Sequence, residues 1–252
     1  MVATADLLGI GLYSPAEAAL YARISTQLMT RWVYGTRRGD AVIEPQLGAG
    51  EERNITFLDF VQALAIRRIR SERPGISLPK IREAYLRACK DFGEPYPFAL
   101  KSTRIGLFGP PDDPKKQEIW ICAGGDEAES QKYFQLTGRK SGNQLIGEVV
   151  RTYAQRLAFD DETGLATKYT AYPTGGPAPE YIVMDPLVRF GEPYLQSSGY
   201  TARTLYDAYR SEGTIDRAAS AYGVAPEHIA LAVEYFDYLK PVLRDTANPV
   251  SL

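Results

Sequence analysis

Histidine is the scarcest reactive residue in this sequence: His228 is the only one among 252 residues. A Ser-His-Asp triad or an imidazole metal site would have to use it. The two cysteines, Cys89 and Cys122, stand 33 residues apart with no CxxC spacing, so they read as plain thiols of a reducing cytoplasm. Asp160-Asp161-Glu162 could pair as acid and base or hold magnesium, but carboxylates at a hairpin tip are usually just solvated. Gly138-Arg139-Lys140-Ser141-Gly142 has phosphate-loop composition without the G-x-x-x-x-G-K-[ST] spacing, and reads as a polar turn. The expectation is a non-enzymatic protein with no cofactor and no metal.

Chemistry of another kind is better represented. Tyr13-Ser14-Pro15 followed by Ala16-Glu17 has a helix-start signature, with Ser14 as N-cap, Pro15 in the first turn and Glu17 completing a capping box. That helix ends near Arg23-Ile24. Ser25 then caps a second helix, 26–34, stopped by Gly35. Two short helices joined by a tight turn describe a helix-turn-helix. Leu28, Met29, Trp32 and Val33 form the apolar stripe of the second helix. Thr26, Gln27, Thr30 and Arg31 are left to face outward, as groups able to meet base edges and phosphates. The turn Gly35-Thr36-Arg37-Arg38-Gly39, before a possible strand Ala41-Val42-Ile43, could be a wing on the phosphate backbone. Two further helices follow. The first ends in Arg67, Arg68, Arg70 and Arg73, and the second runs from Ser77 to Phe92-Gly93.

These elements sit in a chain whose charge is unevenly spread. The net charge is −2. Residues 1–105 hold fifteen Lys and Arg against eleven Asp and Glu, residues 106–180 eight against eleven, and residues 181–252 six against nine. A basic front and an acidic back suit different partners. No apolar run reaches the ~18 residues of a membrane helix. Met1 to Leu8 carries Asp6 and no basic stretch, so it does not read as a secretory signal.

The expected class is α+β in three regions: a winged helix-turn-helix over 1–105, a β-rich region with a linker over 106–180, and a small helical domain over 181–252. In the middle region, 119–122, 132–136 and 144–150 read as strands, and 157–172 reads as a hairpin about Asp160-Asp161-Glu162-Thr163-Gly164. Pro173 to Pro179 reads as a linker. In the last region, 181–183, 188–190 and 194–195 read as extended, followed by helices near 202–211, 215–222 and 226–240. The last helix has two apolar stripes: Ile229, Ala232, Val233, Phe236 and Leu239, and separately His228, Leu231, Tyr235 and Tyr238. The second stripe, with Tyr206 and Tyr209, either docks on a partner or packs within the chain.

The runs "YSPAEAALYARISTQLMTRWVYG" and "ITFLDFVQALAIRRIRSERPGISLPKIREAYLRACKDFG" resemble the N-terminal winged-helix module of MerR-type regulators over about 13–98. The long dimerising coiled coil that follows that module in the family is missing after Leu100, as is a metal-sensing cysteine cluster. The run from Val183 to Leu239, with F-G-x-P at 190–193, "EGTIDRAAXAYGV"-like spacing at 212–224 and the His228 helix, resembles antitoxin domains of domain-of-unknown-function family 433. Ser197-Ser198-Gly199 stands where that family usually has Gly-Thr-Arg. Together the two parts resemble VapB-type antitoxins, commonly encoded beside PIN-like nuclease toxins.

The resemblance implies a cytoplasmic homodimeric antitoxin that binds double-stranded operator DNA and neutralises a PIN-like ribonuclease. Thr26, Gln27, Thr30 and Arg31 would read bases. Arg37, Arg38, Arg67 and Arg70 would hold phosphates. Tyr206, Tyr209, His228, Leu231, Tyr235 and Tyr238 would meet the toxin. Two alternatives are a stand-alone regulator with a ligand pocket in the β-rich region, and a metal-dependent nucleotide enzyme built on the 160–162 tip.

Overall fold

The computed structural model describes residues 10–37, 39–50, 53–108, 110, 113, 116, 118–123, 155–173 and 181–246. Arg38, the amino-terminal residues 1–9, the runs at 132–136 and 144–150, the turn at 138–142 and the linker from 174 onward lie outside them. The described elements are α1 (Pro15–Tyr21), α2 (Thr26–Tyr34), α3 (Phe57–Glu72), α4 (Leu78–Phe92), a 3-10 turn (Pro97–Ala99), β1 (Thr103–Phe108), β2 (Glu118–Ala123), β3 (Leu157–Phe159), β4 (Ala166–Pro173), β5 (Tyr181–Met184), a 3-10 turn (Arg189–Gly191), β6 (Tyr194–Leu195), α5 (Ala202–Glu212), α6 (Ile215–Tyr222) and α7 (Pro226–Thr246). The class is α+β.

Contacts divide the chain into two compact units, Met1–Thr26 with Lys168–Leu252, and Gln27–Thr167. This division does not follow the three regions read from the sequence. The amino-terminal segment joins the carboxy-terminal helices because the Tyr13 hydroxyl donates to the Gly191 carbonyl at 2.9 Å and Leu12 N–H donates to the Phe190 carbonyl at 3.0 Å. α1 also packs on α7.

In the first unit, α1 starts as expected. Ser14 Oγ accepts from Glu17 N–H, and Glu17 Oε2 accepts from Ser14 N–H at 2.9 Å. β4, β5 and β6 pair antiparallel, with a register shift between Thr170 and Tyr172. α5 and α6 begin on Thr201 and Thr214 side-chain caps and stop at the left-handed Gly213 and Gly223. The expected extended piece at 188–190 is instead a 3-10 turn with Arg189 and Phe190 at positive φ.

In the second unit, α3 carries the core: Phe57, Phe60, Val61, Leu64, Ile66 and Ile69 are all buried. α4 adds Ile81, Ala84, Tyr85 and Ala88, and the Tyr85 ring lies 5.9 Å from that of Phe98. Ser77 precedes α4 but makes no side-chain capping bond, so the chain start there rests on Pro79 in the first turn. β1, which the sequence reading omitted, pairs antiparallel with β2 from Thr103 opposite Ala123 to Phe108 opposite Glu118. β3 leads into the expected hairpin, closed by Asp160 N–H donating to the Leu165 carbonyl.

Candidate nucleic-acid interface

α2 is fixed by Met29, Trp32 and Val33, which are buried at 2% exposure or less. Gln27 and Arg31 are exposed, and Thr26 and Thr30 are half-buried. Leu28 does not join the buried stripe; it is 38% exposed. The helix therefore presents an amide and a guanidinium, flanked by hydroxyls, with no carboxylate of its own.

The turn after α2 is a tight one. Thr36 N–H donates to the Gly39 carbonyl at 2.8 Å and Gly39 N–H returns to the Thr36 carbonyl at 3.3 Å. Arg37 at its tip is exposed. Gly35 makes the entry possible. Its φ is +73°, and a Cβ there would come within 2.7 Å of Ala41 N. The expected strand at 41–43 is absent. Val42 and Ile43 are buried in irregular chain, and their N–H groups both donate to the Trp32 carbonyl, at 2.7 and 3.3 Å. They satisfy the open end of α2 rather than a ladder.

The arginines at the end of α3 are largely occupied. Arg70 Nη1 donates to the Ile76 carbonyl at 3.0 Å across the α3–α4 connection, and Arg68 pairs with Glu72 at 2.7 Å. Arg67 is half-buried. Arg70, expected on phosphate, thus serves the local fold with at least one of its donors.

The sequence reading missed Asp59. It is wholly buried at the third position of α3, in a capping box with Thr56. Its carboxylate also accepts from Gln46 N–H at 3.1 Å, which ties down the loop after the basic turn. Burial pushes its pKa up to about 6, against the lowering effect of the Thr56 and Gln46 hydrogen bonds. The T-x-x-D pattern before an apolar run was the available signal.

In the first unit, the second stripe of α7 is mostly interior. Tyr235 is 1% exposed and Leu231 4%. The Tyr172 ring lies 5.9 Å from Tyr235 and 5.2 Å from Tyr238, and the Arg23 guanidinium sits 3.9 Å over Tyr238. Tyr206 stacks on Phe236 with centroids 4.4 Å apart. The stripe is taken up within the unit, so Leu231 and Tyr235 cannot meet a partner in this fold. Tyr209 remains half-exposed, and His228, also half-buried, has its Nε2 2.9 Å from Ser197 Oγ. Among the described residues the buried His228 Nδ1 has no hydrogen-bond partner, so no carboxylate stands behind that imidazole as in a catalytic triad.

The sequence also gave no hint of the turn at 187–190. Leu187 is 81% exposed and Phe190 55%. The turn is held by Leu187 N–H to Asp185 Oδ1 at 2.9 Å, Val188 N–H to the Asp185 carbonyl, and Arg189 Nε to the Gly199 carbonyl at 3.3 Å. A bulky residue at positive φ, as Phe190 is at 55°, is uncommon and has to be enforced by its surroundings.

The acidic hairpin tip is an ordinary turn. Asp160 Oδ1 accepts from Thr163 N–H, Thr163 Oγ1 and Glu162 N–H, and those bonds lower its pKa. Asp161 lies 3.8 Å from Lys101 Nζ. Among the described residues no three His, Cys, Asp or Glu side chains are grouped to hold a metal, and no helix is long and apolar enough to cross a membrane.

No protein-family model matches the chain. It is similar to a curated protein of Mycobacterium tuberculosis described as "Putative antitoxin VapB45", at 24% identity over 238 residues, which is 89% of this chain and 93% of that one. A crystal structure of Rv2018 from Mycobacterium tuberculosis has the same fold, with a TM-score of 0.59 at 20% identity over 90% of this chain and 98% of that one. The mixed helix-and-sheet architecture and a weak, nearly end-to-end likeness to that VapB45 protein are what the chain shares with known proteins.

Proposed function

We propose that this chain is the antitoxin of a toxin–antitoxin pair, a non-enzymatic protein that binds operator DNA and neutralises a PIN-like ribonuclease. The likeness to the mycobacterial protein described as "Putative antitoxin VapB45", over 89% of this chain and 93% of that one, carries the reading. The geometry supports the DNA half through one arrangement: Gln27 and Arg31 exposed on an anchored helix, followed by Arg37 on a tight turn. Gln27 and Arg31, with Thr26 and Thr30, read bases, and Arg37 and Arg38 hold phosphates. The protein acts as a homodimer on a two-fold operator.

The toxin half falls to the first unit, which carries eight Lys and Arg against twelve Asp and Glu. An acidic surface suits the basic, RNA-grasping face of a nuclease. Leu187 and Phe190, two exposed apolar side chains of this unit, replace the buried Leu231 and Tyr235 as contact residues in this proposal, and half-buried Tyr209 is kept as a third. The test is co-expression with the adjacent reading frame. The neighbour alone should arrest growth, and this chain should restore it. A harmless neighbour, or arrest that this chain does not relieve, refutes the proposal.

A further inference from the structure

We propose that Arg82, on α4, is a positioning residue for the basic turn around Arg37, setting its geometry and offsetting the charge of Asp40 without itself touching DNA. The inference rests on the DNA-binding reading above. Arg82 is half-buried, and its Nη1 donates to the Ala41 carbonyl. Its Nε lies 3.8 Å from Asp40 Oδ2, a carboxylate whose side chain is 81% exposed. One helical turn further along α4, Tyr85 Oη accepts from Glu44 N–H at 3.2 Å and donates to the Pro95 carbonyl at 2.9 Å. α4 therefore grips the segment 40–44 at two points, immediately after the turn that displays Arg37.

The turn has little else to hold its descending arm. Val42 and Ile43 N–H groups reach the Trp32 carbonyl, but among the described residues the backbone of Asp40 and Ala41 makes no hydrogen bond apart from the Arg82 bond to Ala41. Two consequences follow from one guanidinium. Its bond to Ala41 fixes the backbone three to four residues beyond Arg37, so less order has to be imposed on binding. Its charge stands against the carboxylate of Asp40, which otherwise meets an approaching phosphate with like sign. A planar guanidinium can serve both a carbonyl and a carboxylate in fixed directions. A lysine ammonium is a compact charge at one point and does this less well.

The test uses the full chain, a fluorescein-labelled mixed-sequence duplex and anisotropy over a salt series. Arg82→Gln should weaken binding about three- to tenfold, through lost pre-organisation, with the slope of log K against log salt unchanged. Arg37→Ala should flatten that slope by about one, as loss of a phosphate contact does. Adding Asp40→Asn to Arg82→Gln should recover at least about twofold, as like-charge repulsion is removed. Arg82→Lys should fall between wild type and Arg82→Gln, and serves if the glutamine variant does not fold.

Unchanged affinity in Arg82→Gln, or a slope flattened by about one as in Arg37→Ala, overturns the positioning role. No recovery from Asp40→Asn overturns the charge-offset part. Limited trypsin digestion reads the same device without DNA: Arg82→Gln should speed cleavage after Arg37 about tenfold through local opening. If the wild type binds no duplex, the DNA reading fails by itself. Unaltered cleavage then independently overturns the hold of Arg82 on the turn.

Discussion

Replacing Asp59 by asparagine should remove a pH dependence that the wild-type fold carries. Thr56 and Asp59 are both fully buried, and the carboxylate receives Thr56 N–H at 3.2 Å and Gln46 N–H at 3.1 Å. Burial lifts the Asp59 pKa from 3.8 to about 6 in the folded state. A raised folded-state pKa means the folded chain binds the proton more tightly than the unfolded one. Its contribution is fully present below about pH 4 and is lost as the pH rises through about 6. At ~1.4 kcal/mol per unit, this group lowers folding stability by roughly 2 kcal/mol between pH 4 and pH 7. Asparagine keeps an acceptor and never ionises. Urea unfolding, followed by the fluorescence of buried Trp32, at pH values from 4.5 to about 7.5, should show Asp59→Asn gaining on wild type steadily with pH. Asp59→Ala is free of the same titration, so its deficit against wild type, about 2–4 kcal/mol at pH 4.5 because Thr56 N–H is left buried without an acceptor, should shrink as the pH rises. Parallel wild-type and Asp59→Asn profiles would refute the reasoning.

Other substitutions probe the remaining claims. Gly191→Ala places a Cβ 2.0 Å from Tyr13 Oη at φ +88°, and should cost about 3 kcal/mol or more in thermal unfolding. Gly199→Ala, at φ +70° with nothing within 4 Å, should cost only about 1 kcal/mol. Equal losses would show that the Tyr13 contact is not tight. Tyr235→Asp puts a charge in the core of the first unit and should unfold that unit, seen as lost helical circular dichroism. Phe190→Asp alters an exposed side chain; it should keep the dichroism while abolishing growth rescue in co-expression. Gln27→Ala with Arg31→Ala should reduce the preference for operator over random duplex by about 10- to 100-fold while leaving the melting temperature within a few degrees. An unchanged preference would move base reading elsewhere.

Local signals in the sequence were strong where capping chemistry set them. The Ser14–Glu17 box, the Gly93, Gly213 and Gly223 stops and the bounds of α2 and α6 are decided within a few residues, and the structure has them there. Tertiary facts were not legible. The segment Ala41-Val42-Ile43 is β-branched and apolar, yet it closes the end of α2, because the Trp32 carbonyl needs donors more than those residues need a ladder. The second stripe of α7 has the spacing of a docking face, and only the position of Tyr172 on β4 decides that it is covered internally. The helical reading of α1 was right, but its membership of the unit holding α7 depends on Tyr13 meeting Gly191, 178 residues away. Of the proposed DNA contacts, Gln27, Arg31 and Arg37 are exposed, whereas one donor of Arg70 is held by the Ile76 carbonyl, a pairing no residue pattern announces.

The central claim is that this chain silences a nuclease. Its most direct measurement is RNA cleavage by the purified neighbour-encoded protein as this chain is titrated in. The account predicts cleavage that falls to background at a fixed molar ratio, together with a complex that co-migrates on size exclusion. Cleavage that persists at saturating amounts of this chain, or two species that elute separately, would contradict it.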